Sequence, residues 1–298
     1  MAEKDIIEKT LIGYNDVFSD IYNGFLFKGE QVVGETQLSD ATAHSIFKAD
    51  GDFHSQERDV AKYWNKSILR TAMFGIENQS SVNSDMPLRV ISYDGAAYRQ
   101  QLDTDAPRYP VITIVIYFGK GKWSKNKSLH EVLNIPNKLK PFVNDYKILV
   151  LEVDQMTEDQ VQLYHSDFKY VADYFVQTKK DPNYRGSKET IKHVREFFRL
   201  MALFTGDNRF ELAYNERGGK NILEGGKINN MCDFLDKIEN EGIEKGKVQG
   251  IEEGKVQGIE QVILKMIEQD LSNQQIILYT GTSEEKIKEL REKLVLVK

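Results

Sequence analysis

Three residues with the right types and spacing for phosphate chemistry are Asp59, Glu77 and Gln79. Glu77 and Gln79 sit in FGIENQS, where an apolar run ends in Glu-Asn-Gln. Side chains alternate across a strand, so Glu77 and Gln79 share one face and Asn78 takes the other. Polar groups at the end of a buried strand need partners, a metal or water. If the residues from Asp59 to Glu77 form a hairpin, the start of its first strand lies beside the end of its second. The two carboxylates would then meet and repel, and a divalent cation relieves such repulsion. Mg²⁺, with Mn²⁺ as a substitute, suits an oxygen-ligand site that keeps waters for chemistry. A bound water can attack a phosphodiester while the ion offsets charge on the phosphate. Gln79 can orient that water, but its amide is no general base. Spacing alone leaves a plainer alternative open: surface carboxylates paired with Arg58 and Arg89.

The elements that must position these residues follow from periodicity. Residues 1–30 predict a helix, with Ile7, Leu11, Tyr14, Phe18 and Ile21 at helical spacing and Asp16 and Asp20 on one face. Ala41 to Asp52 is mixed. Val60–Trp64, a turn at Asn65-Lys66-Ser67, and Ile68–Ile76 read as a two-stranded hairpin. Pro87–Leu102 predicts a helix with Leu88, Ile91 and Tyr98 on one face. Tyr109–Phe118 and Tyr146–Val153 are β-branched runs typical of strands covered on both sides. The order describes an α/β layer arrangement around a mixed sheet. From Thr157 to about Glu241 the pattern turns helical, with a loop at Asp181–Gly186 and a helix stop at Thr205-Gly206.

Glycines then recur at 242, 246, 250, 254 and 258 in a repeated GKVQGIEE unit. Each interior glycine costs about 1 kcal/mol relative to alanine, so the repeat predicts a marginal helix or an extended spacer. Beyond it, Ser272 with Gln275 fits a capping box and Ser283 can cap a further helix. The pair resembles a helix-turn-helix, but Glu284 and Glu285 stand where a DNA reader would meet phosphates. A small docking or oligomerisation unit is the better reading, and this region is the candidate surface for a homodimer. The expected divisions are 1–155, 156–240, 241–261 and 262–298.

Composition excludes several classes. The longest apolar run is Val111–Phe118, far short of the ~20 residues of a spanning helix. The charged N-terminus lacks a signal-peptide core, and Cys232 is alone, so a cytoplasmic protein without disulfides or a cysteine metal site is expected. The five histidines have no zinc spacing, and there is no phosphate loop for nucleotide hydrolysis. Net charge is −6, which argues against nonspecific coating of nucleic acid. Between Gln101 and Lys140, however, seven basic residues face three acidic ones. There GKGKWSKNK offers Lys120, Lys122 and Lys125 to a phosphate backbone, or simply forms a solvated turn.

The stretches QERDVAKYW, GIENQSSVNSDMPLRVISYDGAAYRQQL and YPVITIVIYFG resemble the recombination-promoting nuclease and transposase-like family of the PD-(D/E)XK superfamily. The matching positions are Asp59, Glu77, Gln79, Ser80, Met86, Arg89, Tyr93 and Tyr117–Gly119. That resemblance implies a restriction-endonuclease-like core and a metal-dependent DNA endonuclease linked to recombination or mobile elements. It also implies Asp59 and Glu77 as metal ligands, with Gln79 in the superfamily's lysine position. Asp16 matches an acidic position on the first helix, as a support for a second ion or a water. Arg89 and Tyr93 are placed to meet phosphate or, equally, to hold Glu77 or Asp94. Gln79 removes a charged stabiliser of the transition state. The alternative is therefore a weak or inactive DNA-associated or oligomeric protein that keeps the fold.

Overall fold

A computed structural model of the chain describes residues 11–41, 44–49, 52–67, 69–211 and 230–296. They form two compact units that divide between Leu235 and Asp236. Ile7, Ile68 and positions 212–229 of the expected helical segment lie outside the described residues.

The first unit begins with helix α1 (Asn15–Leu26), a three-residue strand β1 (Leu38–Asp40) and a separate hairpin, β2 (His44–Ala49) with β3 (Asp52–Glu57). Strands β4 (Val60–Lys66) and β5 (Leu69–Gln79) follow, then helix α2 (Met86–Gln100), β6 (Val111–Tyr117) and β7 (Leu149–Glu152). Helices α3 (Phe168–Thr178) and α4 (Val194–Thr205) come next, and α4 stops at Gly206 with φ 67°. The sheet order is β1-β4-β5-β6-β7, antiparallel from β1 to β5 and parallel from β5 to β7. This is the mixed sheet with flanking helices that the sequence pattern predicts. β1, β2 and β3 all start in the stretch between the first helix and Asp52, where no alternating run announces a strand.

Each face of the sheet is sealed by one helix first. Facing α1, Phe74 stacks on Tyr22 at 4.1 Å and on Trp64 at 5.8 Å, and the Tyr22 hydroxyl lies 2.7 Å from the Gly75 carbonyl oxygen. Facing α2, Met86 and Val90 pack with Val115, Tyr117, Trp123 and Ile148, while Ala97 meets Ala61, Met73 and Val111. The buried stripe of α2 is therefore Met86, Val90, Tyr93 and Ala97, not the expected Leu88, Ile91 and Tyr98; Leu88 and Tyr98 are exposed. Two ion pairs set that rotation by drawing Arg89 and Asp94 toward the sheet.

The lysine-rich turn after β6 is likewise anchored rather than wholly solvated. Trp123 is fully buried edge-on to Tyr117 at 5.3 Å, and Lys127 pairs with Glu152 at 2.7 Å. Lys120, Lys122 and Lys125 remain exposed.

At the glycine repeat the structure takes the helical of the two expected forms. Helix α5 (Met231–Glu268) runs unbroken through it. No proline interrupts the segment, and the residues between the glycines are mostly Glu, Lys and Gln, which propagate helix well. Its ends are also held: Phe234 and Leu235 are buried at the start, and Ile263 and Ile267 are buried near the end. In the second unit Ile263 and Ile267 pack with residues of α6 (Asn273–Thr280) and α7 (Glu284–Leu296), namely Ile276, Ile287 and Leu290. Ser272 and Gln275 form the capping box at the start of α6. No described helix is long and apolar enough to cross a membrane.

Because Phe74 is the ring that joins α1 to the sheet, Phe74→Ala should cost about 3–5 kcal/mol of unfolding free energy. Urea titration followed by tryptophan fluorescence measures it. A loss under about 1 kcal/mol would contradict this packing.

Candidate active site

The register of β4 against β5 pairs Val60 with Ile76 and Ala61 with Gly75. Continued by one residue, it sets Asp59 opposite Glu77 at the end of the sheet. The Asn78 backbone N–H donates to Asp59 Oδ2 at 2.6 Å, which ties the first carboxylate to the strand that carries the second. Glu77 is fully buried, on the α2 face shared by Val115 and Tyr117. Arg89 Nη2 donates to its Oε2 at 3.1 Å and also reaches the Tyr93 hydroxyl at 3.1 Å. Glu77 Oε1 is buried with no hydrogen-bond partner.

Burial, and then the charge of Asp59, push the Glu77 carboxyl up to about 8. The cations Arg89 and Arg58 and the Asp59 backbone N–H oppose that rise without cancelling it. Glu77 thus holds a proton near neutral pH unless another positive charge approaches.

Behind the pair lies a buried polar network. Arg58, only 2% exposed, donates to Asp94 Oδ1 at 2.6 Å, and the Thr113 hydroxyl donates to the same oxygen at 2.7 Å. The Tyr146 hydroxyl donates to Asp94 Oδ2. Gly75 is required where this network crosses β5, because a Cβ there would lie 2.9 Å from Thr113 Oγ1 and 3.1 Å from Arg58 Cδ. Asp94 therefore acts as a structural acceptor with both oxygens in use.

The other anticipated residues divide. Gln79 is half-buried at the end of β5, on the same face as Glu77. Arg89 holds Glu77. Lys120, Lys122 and Lys125 follow β6 at the same end of the sheet, where the Phe118 N–H donates to the Gln79 carbonyl at 2.8 Å. Asp16 is engaged elsewhere: Lys192 Nζ lies 2.7 Å and His193 Nε2 3.0 Å from its Oδ2. Burial raises its carboxyl, but the bonds from Lys192 and His193 outweigh this and leave it below the ordinary value. Among the described residues no three His, Cys, Asp or Glu side chains come together as a metal cluster, so Asp16 does not join Asp59 and Glu77. The sequence reading missed Asp94 and Tyr146 as a buried network; only their approach in space to Arg58 and Thr113 reveals it.

Residues 73–198 match a family model described as "Putative transposase, YhgA-like". Over this segment the chain is similar to that transposase-like family. The transposase-like segment carries Glu77, Gln79, Arg89, Tyr93 and Asp94, with β6, β7 and α3, and ends within α4. Asp16 and Asp59 precede it. No curated protein and no solved structure matches the chain.

Asp59 and Glu77 fit a hard divalent cation. Both offer oxygen, one buried acceptor is orphaned, and the raised proton affinity of Glu77 marks a place that favours positive charge. The linkage gives a direct test. Glu77 binds its proton more tightly folded than unfolded, so its contribution to stability is complete below about pH 4.5 and is lost as pH rises through about 8. Wild type should lose urea stability across that window relative to Glu77→Gln. Mg²⁺ at pH 8 should restore it in wild type and leave Glu77→Gln unchanged. Parallel pH profiles for the two proteins would rule out a buried Glu77 that titrates in this way.

Proposed function

We propose that this protein is a divalent-metal-dependent DNA endonuclease with a PD-(D/E)XK-like core, linked to recombination or mobile elements. The observation that carries this reading is the cross-strand placement of Asp59 against the buried, proton-hungry Glu77. The transposase-like match over residues 73–198 supports DNA as the partner. Asp59, oriented by the Asn78 N–H, and Glu77, through its free Oε1, would hold Mg²⁺ or Mn²⁺. The ion would supply an activated water and neutralise charge on the phosphate. Glu77 must give up its proton to serve as a ligand. Arg89, 38% exposed at its side chain, would then be released from Glu77 to pair with a phosphate oxygen. Gln79 would orient the attacking water by hydrogen bonding, without removing its proton.

Purified protein should nick supercoiled plasmid only with Mg²⁺ or Mn²⁺ present. Asp59→Ala and Glu77→Ala should each cut the rate by more than about 100-fold, beyond what losing an outer-sphere partner costs. Intact plasmid at high protein concentration would overturn the assignment.

Two observations favour a second reading, in which the protein binds DNA but cleaves weakly or not at all. Gln79 stands where a lysine would stabilise the transition state, and Arg89 already occupies Glu77. Metal binding without nicking would distinguish this case.

Helix α5 is the proposed pairing surface for a second copy, which would bring two sites to the two strands of a duplex. Val248, Ile251, Val256 and Ile259 are all exposed along it. Light scattering should give twice the chain mass for wild type and the single-chain mass for Val248→Glu with Ile259→Glu. A monomeric wild type would remove the pairing role.

A further inference from the structure

A cavity opens at the carboxyl end of the parallel strands. It measures about 690 Å³, within the ~300–1,000 Å³ range of small-ligand sites. Ligands in open α/β sheets enter at this end of the strands. Phe118, directly after β6, and Asp154, just after β7, form its floor, while α3 and the end of α4 supply its walls. The Phe118 N–H donates to the Gln79 carbonyl, so the cavity lies at the same end of the sheet as the carboxylate site, on the face opposite Glu77 and Tyr117.

Two features of the lining limit what it can hold. The first is a set of aromatic rings. Phe204 stacks on Phe118 with centroids 4.0 Å apart and planes at 21°, and Phe175 lies 5.7 Å from Phe118. Phe175 and Phe204 are only half-buried, so aromatic surface is left open to the cavity. The second is charge. Lys179 pairs with Asp154 at 3.1 Å and Arg209 with Asp207 at 2.6 Å, which leaves Lys120 as the cation in excess. Lys120 is exposed, as are Lys122 and Lys125 further along the same turn. A flat π-system beside one negative charge complements this lining: the ring stacks, and the anion meets Lys120.

The geometry points to a nucleotide-binding pocket that takes one unpaired nucleotide of a DNA strand, its base against Phe204 and Phe175 and its phosphate at Lys120. The further lysines of the same turn, Lys122 and Lys125, favour a nucleotide within a strand over a free one. The choice of DNA rests on the proposed function, while binding in the pocket does not require Asp59 and Glu77 to cleave. A strand held here would have its neighbouring phosphates at the same end of the sheet as the carboxylates.

Binding of a labelled oligothymidylate by the full chain, followed by fluorescence anisotropy in EDTA, tests the pocket apart from metal and cleavage. Phe204→Leu keeps the apolar packing but loses the stacking ring, and Lys120→Ala changes only an exposed side chain. Each should weaken single-strand binding about tenfold, within the range for loss of one base-stacking platform. Lys120→Ala should also flatten the dependence on salt. Thymidine monophosphate alone provides the second arm. Tight competition by it, weakened by the same two variants, would assign the pocket to a free nucleotide and overturn the strand assignment. Single-strand binding that is absent, or unchanged in both folded variants, would overturn the pocket itself.

Discussion

The ion pair between Arg58 and Asp94 holds together parts of the chain that no local rule would join. Arg58 precedes β4, Asp94 is on α2, Thr113 is in β6, and Tyr146 lies just before β7; all four meet at one carboxylate. Burying such a pair costs desolvation energy that mutual attraction repays only when geometry is good and the remaining lone pairs are filled. Thr113 and Tyr146 fill them. Removing one partner would leave an isolated buried charge, so the four groups stand or fall together. Asp59 follows Arg58 directly, and its position therefore inherits the rigidity of this network.

That rigidity explains how two carboxylates can be held close. Their repulsion and the burial of Glu77 both work against the folded state, and the raised proton affinity of Glu77 is the visible sign. Such a site persists only where the surroundings over-determine it. Here the antiparallel register, the Asn78 N–H and the Arg89 side chain do so together. The strain is of a kind that a positive charge relieves, a pattern frequent at functional sites. The neighbouring cavity has the opposite character, with aromatic walls and excess positive charge.

Much of the central architecture was legible in the sequence. β6 announces itself as a β-branched run, and Asn65-Lys66-Ser67 marks the turn between β4 and β5. The helix face of α2 was misread because apolar periodicity favoured Leu88 and Tyr98. Electrostatic pairing turned Arg89 and Asp94 inward instead, and polar residues carry no weight in a hydrophobic pattern. At the glycine repeat the sequence left helix and extended spacer open, for a related reason. Propensity counts the local penalty of each glycine, but burial at both ends of α5 is a tertiary contribution.

The sequence by itself determined that Glu77 and Gln79 share a face and that a hairpin would return the chain from Asp59 to Glu77. Alternation and turn chemistry are local, so residue order is enough to set them. Only the tertiary structure decided that Arg89 holds Glu77, that Asp94 serves Arg58, and that Asp16 is committed to Lys192 and His193. Those choices depend on which side chains approach across tens or more than a hundred residues of chain, where charge and burial compete and spacing along the sequence says nothing.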